Sequence, residues 1–261
     1  MLFVIDIGNT NIKYGVFNGD KLAATFRVAS KKTSTADEYG TVVRDLLASG
    51  GIKRSQIDGV IISSVIPQLN YTFEHMCEAY LGKTPLMVGP GIKTGINLKV
   101  DNPREVGADR IVNMVAAYTK YGGDKPIICI DFGTATTFNV VTVKGEFIGG
   151  VIAPGIKGSL DSLVNSAAKL PNVELELPEK IIARNTVTNM QAGLLYGFAG
   201  LVENIINKMK KELGSDAFVV ATGGLSETII SELPSVNVID RTLTLDGLKI
   251  LYDMNEAEEN E

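Results

Sequence analysis

The sequence predicts an α/β protein of two lobes, the second a near-copy of the first. Three observations predict it. Two apolar runs that end in an acid, Leu2 to Asp6 and Ile127 to Asp131, each lead into a turn, Gly8-Asn9-Thr10 and Phe132-Gly133-Thr134. Each turn is followed by two further strand-like runs and then by helical periodicity. Asp6-Ile7-Gly8 aligns with Asp131-Phe132-Gly133 at an offset of 125 positions, so an internal duplication of about 120 residues is the simplest account.

The elements follow in order. After the first strand and its turn, Asn11 to Phe17 reads as a second strand, Asn18-Gly19 as a hairpin turn, and Lys21 to Val28 as a third strand. Tyr39, Val42, Val43, Leu46 and Leu47 share one face of a helix stopped by Gly50-Gly51. Gly59 to Ser64 is a buried-type strand, Asn70 to Leu81 a helix, and Leu86 to Val88 a short strand. The second copy reads as strands over Ile127 to Asp131, Ala135 to Val143 and Phe147 to Ile152, with a turn at Lys144-Gly145. Helices follow from Ile156 to Ala168 and from about Met190 to Leu213. A strand over Phe218 to Ala221, a helix over Ser226 to Leu233 and a strand over Val236 to Ile239 close the copy.

Meanders with crossover helices imply two α/β lobes, divided as 1–117 and 118–261 within the helix from Arg110 to about Tyr121. Ligands of such sheets collect at strand carboxyl ends, so the expected active site is a cleft between the lobes.

Composition narrows the function classes. Of 261 residues, 45% are hydrophobic and 21% charged, which suits a packed soluble chain. The net charge is −5, and five acids without a base (Asp253, Glu256, Glu258, Glu259, Glu261) lie in the last nine residues, which read as a solvated end. No Lys/Arg-rich run exists, so no nucleic-acid partner is expected. Cys77 and Cys129 form neither a disulfide framework nor a zinc spacing, and His75 is the single histidine, which excludes multi-His metal sites. The N-terminus meets an acid at position 6 and no apolar run reaches about 18 residues, so no signal peptide or membrane span is expected. The expected compartment is the cytoplasm.

The turns carry the chemistry. In Asp6-Ile7-Gly8-Asn9-Thr10-Asn11-Ile12-Lys13, Gly8 lets backbone approach a phosphate, while Asn9 and Thr10 supply donors. Asp6 is placed to hold Mg²⁺ and Lys13 to reach a phosphate; the alternative is a plain Asx or hydroxyl turn. Gly223 and Gly224, after the strand ending at Ala221, admit a flat adenine or ribose, or simply make a strand–helix turn. Gly107-Ala108-Asp109-Arg110 opens a helix. Asp109 reads as a first-turn acid or as a general base, and a carboxylate there stays ionised; Arg110 could clamp a substrate carboxylate. His75 and both cysteines read as structural residues. Gly193, Gly197 and Gly200 weaken a long helix, which points to close packing across a subunit interface or within the lobe.

Taken together, these segments resemble one family. Asp6 to Lys13, Asp101-Asn-Pro-Arg-Glu-Val-Gly-Ala-Asp-Arg110, Asp131-Phe-Gly-Thr134, Gly149-Gly-Val-Ile-Ala-Pro-Gly155, Asn185-Thr-Val-Thr-Asn-Met-Gln-Ala-Gly193 and Ala221-Thr-Gly-Gly224 resemble type III pantothenate kinase, in order over nearly the whole chain. The Asp-Asn-Pro…Gly-Ala-Asp-Arg block is the most specific; the phosphate turns are shared by the wider acetate-and-sugar-kinase, heat-shock-protein and actin superfamily. The resemblance implies duplicated RNase H-like (actin-like ATPase) lobes and ATP-dependent phosphorylation of pantothenate, the first step towards coenzyme A. It implies that residues 6–13 bind ATP with Asp6 near Mg²⁺. Residues 107–110 would bind pantothenate, with Asp109 the proton acceptor. Asp131 would hold a monovalent cation, K⁺ or NH₄⁺. Thr134 matches an ATP contact and Thr186 a substrate contact, and members of the family are homodimers.

One position departs. The family often carries Tyr directly before Asp-Asn-Pro as a substrate contact, and here that residue is Val100. A kinase for another small hydroxylated acid is therefore one alternative. A non-catalytic nucleotide binder is another, because accessory transcription factors share the fold; retention of Asp6, Asp109 and Asp131 together weighs against it.

Overall fold

The computed structural model describes residues 1–256, and by its internal contacts the chain divides into two compact units. The first unit holds Met1–Ile96, Asp101–Ala116 and the chain from Leu243; the second holds Asn97–Val100 and Ala117–Thr242. The change of unit thus falls one residue before the expected 117/118 division, with two segments exchanged.

In the first unit β1 (Leu2–Ile7), β2 (Asn11–Asn18), β3 (Lys21–Ala29), β4 (Gly59–Ser64) and β5 (Leu86–Met87) form a five-stranded sheet in the order β3-β2-β1-β4-β5. β1 pairs antiparallel with β2 and parallel with β4. The hairpin after β2 turns on Gly19 and Asp20, one residue later than the sequence suggests, with Gly19 at φ +58°. Helix α1 (Ala36–Ser49) starts in a capping box of Thr35 and Glu38, and its buried Tyr39, Val43 and Leu47 sit in the core while Val42 faces out. Helix α2 (Pro67–Met76) runs on into a π-helical turn, Cys77–Leu81. Both helices pack on the face of β1 that carries Phe3, Ile5 and Ile7. Helix α3 (Ala108–Tyr121) begins in this unit and ends in the other.

The second unit repeats the plan. β6 (Asn97–Leu98), β7 (Ile127–Phe132), β8 (Ala135–Val141), β9 (Glu146–Pro154), β10 (Phe218–Thr222) and β11 (Val238–Ile239) lie in the order β11-β10-β7-β8-β9-β6. Removing β6, the two sheets have the same strand order. The register shift is also duplicated, between Val16 and Phe17 in β2 and between Val140 and Val141 in β8. Helices α4 (Ile156–Ser166), α5 (Thr186–Leu213) and α6 (Ser226–Ile229) follow, and the core joins Ile128, Ile130 and Phe132 of β7 to Leu195, Phe198 and Val202 of α5. The fold is two duplicated RNase H-like lobes.

Three expectations change. The helix read over Ser226 to Leu233 is a single α-turn continued by a 3₁₀ turn, Ile230–Glu232. The long helix starts at Thr186, because Asn185 caps it by accepting the Thr188 N–H at 2.9 Å. The chain after Ile239 is not only a solvated acidic end: helix α7 (Leu243–Glu256) returns to the first unit and takes in Asp253 and Glu256. Leu245 approaches Gly15, and Tyr252 approaches Gly59, so α7 covers the face of β1 that carries Val4 and Asp6. Glu258, Glu259 and Glu261 lie outside the described residues.

Candidate active site

The first turn is built around Asp6, the penultimate residue of β1. Alternation places Asp6, buried, on the α7 face, in register with Lys13 of β2 and Ser63 of β4. Lys13 Nζ lies 3.8 Å from Asp6 Oδ2. Ile7 and Ile12 close the strands with side chains wholly in the core, so only their backbone faces the turn. Gly8, Asn9, Thr10 and Asn11 connect them, with the Gly8 N–H donating to Asn11 O at 3.1 Å. Asn9 and Thr10 are exposed. Ser30, just after β3, donates its hydroxyl to Gly8 O at 2.5 Å and its N–H to Thr10 O at 3.0 Å.

Gly107 caps α3: its carbonyl accepts from the N–H groups of Arg110 (3.1 Å) and Ile111 (3.2 Å). Ala108, Asp109 and Arg110 form the first turn, all half-buried. Asp109 Oδ1 accepts the Arg110 N–H at 2.8 Å, which fixes the carboxylate beside the helix start. A Cβ at Gly107 would lie 2.6 Å from that oxygen, so glycine leaves room on that side. Burial pulls the Arg110 pKa down, and the neighbouring Asp109 charge partly opposes this.

In the second unit Asp131 occupies the position of Asp6, but faces Thr137 in β8 rather than a lysine, and Thr222 in β10 where Asp6 has Ser63. Three glycines crowd this strand end. Gly223 sits at φ +100°, where an added Cβ would lie 2.7 Å from Asp131 Oδ1 and 2.6 Å from the Phe132 backbone. A Cβ at Gly133 would come within 3.6 Å of the same carboxylate oxygen. One at Gly155 would lie 2.3 Å from Thr134 O and 2.7 Å from Gly133 O. The structure therefore brings Asp131, Thr134 and Gly223 into one strand-end cradle. Gly224 and Thr134 are exposed beside it. Thr186 stands exposed at the start of α5, and Val100 is half-buried after β6.

The family resemblance implies two ions, and the donors present can be compared with each. Ser63 Oγ, fully buried in register with Asp6, has no hydrogen-bond partner among the described residues. A carboxylate beside a hydroxyl oxygen without a partner is a donor set that fits Mg²⁺. Among the described residues no group of three or more His, Cys, Asp or Glu could hold a metal alone. At Asp131, a carboxylate whose surroundings are kept open by Gly133 and Gly223 fits a larger monovalent cation.

Other titratable groups are structural. Cys77 and Cys129 are buried and burial pushes both thiols up, Cys77 to about 12. His75 is exposed and stacked at 6.2 Å on Tyr71. Asp240, at the end of β11, would be pushed up by burial, but hydrogen bonds from Lys120, Tyr121 and Thr242 hold its pKa below the usual carboxylate range. Among the described residues nothing outside their own helix lies within 4 Å of an added Cβ at Gly193, Gly197 or Gly200, so crowding by those residues does not account for them.

Sequence reasoning missed Ser30, Ser63 and the cradle role of Gly155. The register that pairs Ala29 with Asn11 brings Ser30 to the turn, and no local motif announces it.

Comparison with known proteins adds three findings. The family model described as type III pantothenate kinase matches residues 2–208. A type III pantothenate kinase of Moorella thermoacetica is 51% identical over 255 residues, covering 98% of this chain and 100% of that protein. Among solved structures, a Campylobacter jejuni protein described as a Baf family transcriptional activator covers 98% of this chain and 99% of its own at 17% identity and a TM-score of 0.62. A ROK family glucokinase of Streptomyces griseus, solved with glucose and AMPPNP, covers 97% of this chain and 98% of its own at 13% identity and 0.57. The last two likenesses concern the fold.

Proposed function

The chain belongs to the type III pantothenate kinase family, and from that premise we propose how its own residues phosphorylate pantothenate with ATP to 4′-phosphopantothenate, the first step of coenzyme A biosynthesis. The observation that carries the reading is Asp109, fixed by a backbone N–H at the start of α3, within the family's Gly-Ala-Asp-Arg block.

The Gly8–Asn11 turn receives the ATP phosphates on backbone and side-chain donors, and Lys13 adds a positive charge. Thr134, Gly223 and Gly224 contact the rest of the nucleotide. Gly107, Ala108 and Arg110 seat pantothenate, Arg110 opposite its carboxylate, with Thr186 a further contact. Asp109 accepts the proton of the primary hydroxyl as its oxygen attacks the γ-phosphorus in line. Asp6 would hold Mg²⁺ and Asp131 K⁺ or NH₄⁺; bound there, they supply neutralising charge to phosphoryl oxygens. Positioning and electrostatics supply most of the acceleration.

Val100 stands where relatives often carry Tyr, which leaves acceptor binding to the other residues of the block. Among the described residues no helix is long and apolar enough to cross a membrane, and the cytoplasm is the proposed compartment. The working form is a homodimer. The open stripe of Gly193, Gly197 and Gly200, together with exposed Ile152, Ile181 and Ile182 in the same unit, supports that form.

The test is purified protein with ATP, Mg²⁺, K⁺ and a panel of hydroxylated acids, read by product mass. Phosphopantothenate as the dominant product bears the reading out; preference for another acceptor overturns the substrate.

A further inference from the structure

The two copies of the strand-end turn are closed by different chemistry. In the first unit the residue after β3 is Ser30, which donates its hydroxyl to Gly8 O and its N–H to Thr10 O. In the second unit the residue after β9 is Gly155, since Pro154 pairs with Ala135 as Ala29 pairs with Asn11. Gly155 has no side chain to donate, and a Cβ there would collide with the Gly133 and Thr134 carbonyls. One carbonyl, Gly8 O, is thus held by a hydroxyl, and its counterpart, Gly133 O, receives no side-chain donor from the equivalent position.

The consequence follows from peptide geometry. In a planar trans peptide the C=O and the next N–H point opposite ways. A hydroxyl holding Gly8 O therefore fixes the direction of the Asn9 N–H, away from Ser30. Gly8 N–H is already committed to Asn11 O. We infer that Ser30 is a positioning residue: by anchoring the Gly8 and Thr10 carbonyls it preorganises the Asn9 amide of the first turn to donate to the nucleotide's phosphate oxygens. This rests on the kinase reading for the identity of the nucleotide.

The experiment compares wild type, Ser30→Ala and Ser30→Thr in MgATP binding by calorimetry without acceptor, and in steady-state kinetics. Losing one neutral hydrogen bond should raise the MgATP Kd and KM about three- to tenfold in Ser30→Ala. The pantothenate KM should stay unchanged, the nucleotide-free melting temperature should stay within about 2 °C, and Ser30→Thr should restore nucleotide affinity. An unchanged MgATP Kd in Ser30→Ala, equal losses for both substrates, or no rescue by threonine overturns the inference. Wild type that binds no MgATP overturns both it and the kinase reading. Wild type that binds MgATP but leaves pantothenate unphosphorylated refutes the acceptor alone, and the Kd comparison still decides Ser30.

Discussion

Asp6 and Lys13 face each other across β1 and β2, with the ammonium 3.8 Å from the carboxylate. The lysine is therefore held near the turn by the sheet register, and in the proposed mechanism its charge serves a phosphate as well as Asp6. Lys13→Met should raise the MgATP KM about tenfold or more, since a charge-assisted hydrogen bond contributes about 1.5–3 kcal/mol. The pantothenate KM should not follow. Equal effects on both substrates would point to a collapsed turn.

The duplicated acid, Asp131, faces Thr137, which carries no charge. Gly223 and Gly133 leave space beside its carboxylate, and the proposed reading fills that space with a monovalent cation. Replacing K⁺ by Na⁺ or a large organic cation at fixed ionic strength should lower wild-type turnover about tenfold, or about 1.4 kcal/mol. Asp131→Ala should be slow in every salt. Wild-type turnover that ignores the exchange would remove the site.

Light scattering should give a particle of twice 27.9 kDa. Gly197→Glu should convert it to a folded monomer, because among the described residues nothing outside its own helix lies within 4 Å of an added Cβ there. A wild-type monomer with full activity would contradict the dimer.

Asp240 links β11 to α3 through Lys120 and Tyr121. Its folded pKa lies below the unfolded value, so its stabilisation is present above the ordinary carboxylate pKa and fades as pH falls through the folded one. Asp240→Asn should cost about 1.5–3 kcal/mol at pH 7, the worth of hydrogen bonds to a charged group. The difference from wild type should shrink below about pH 4. Thermal melts at pH 7 and pH 3 check this; a constant difference would assign the loss to packing.

The duplication was legible because it is written in local pattern: an apolar run, an acid, a glycine turn, then alternation. The acids at 6, 109 and 131 stood at element ends, where such patterns are clearest. Helix α7 was not read, because Leu243, Leu245, Leu248 and Leu251 are spaced for a helix yet are followed at once by acids that suggest a tail. Ser30, Ser63 and Gly155 were illegible for another reason. Each reaches its turn or acid only through strand pairing, across a hairpin for Ser30 and Gly155 and between β1 and β4 for Ser63, and a lone serine or glycine carries no signal of its partner. The glycines of α5 were visible, but only the structure separates crowding from an open face.

The central claim is that the carboxylate at the start of α3 takes the acceptor's proton during ATP-dependent phosphorylation of pantothenate. The direct measurement is phosphopantothenate formation by wild type and Asp109→Asn at saturating substrates, with MgATP binding measured alongside. Asparagine can still accept the Arg110 N–H that Asp109 Oδ1 accepts now. The account predicts that wild type forms phosphopantothenate and that the variant loses about 10²–10⁴ in kcat with MgATP affinity intact. An Asp109→Asn enzyme that keeps near wild-type kcat would contradict it.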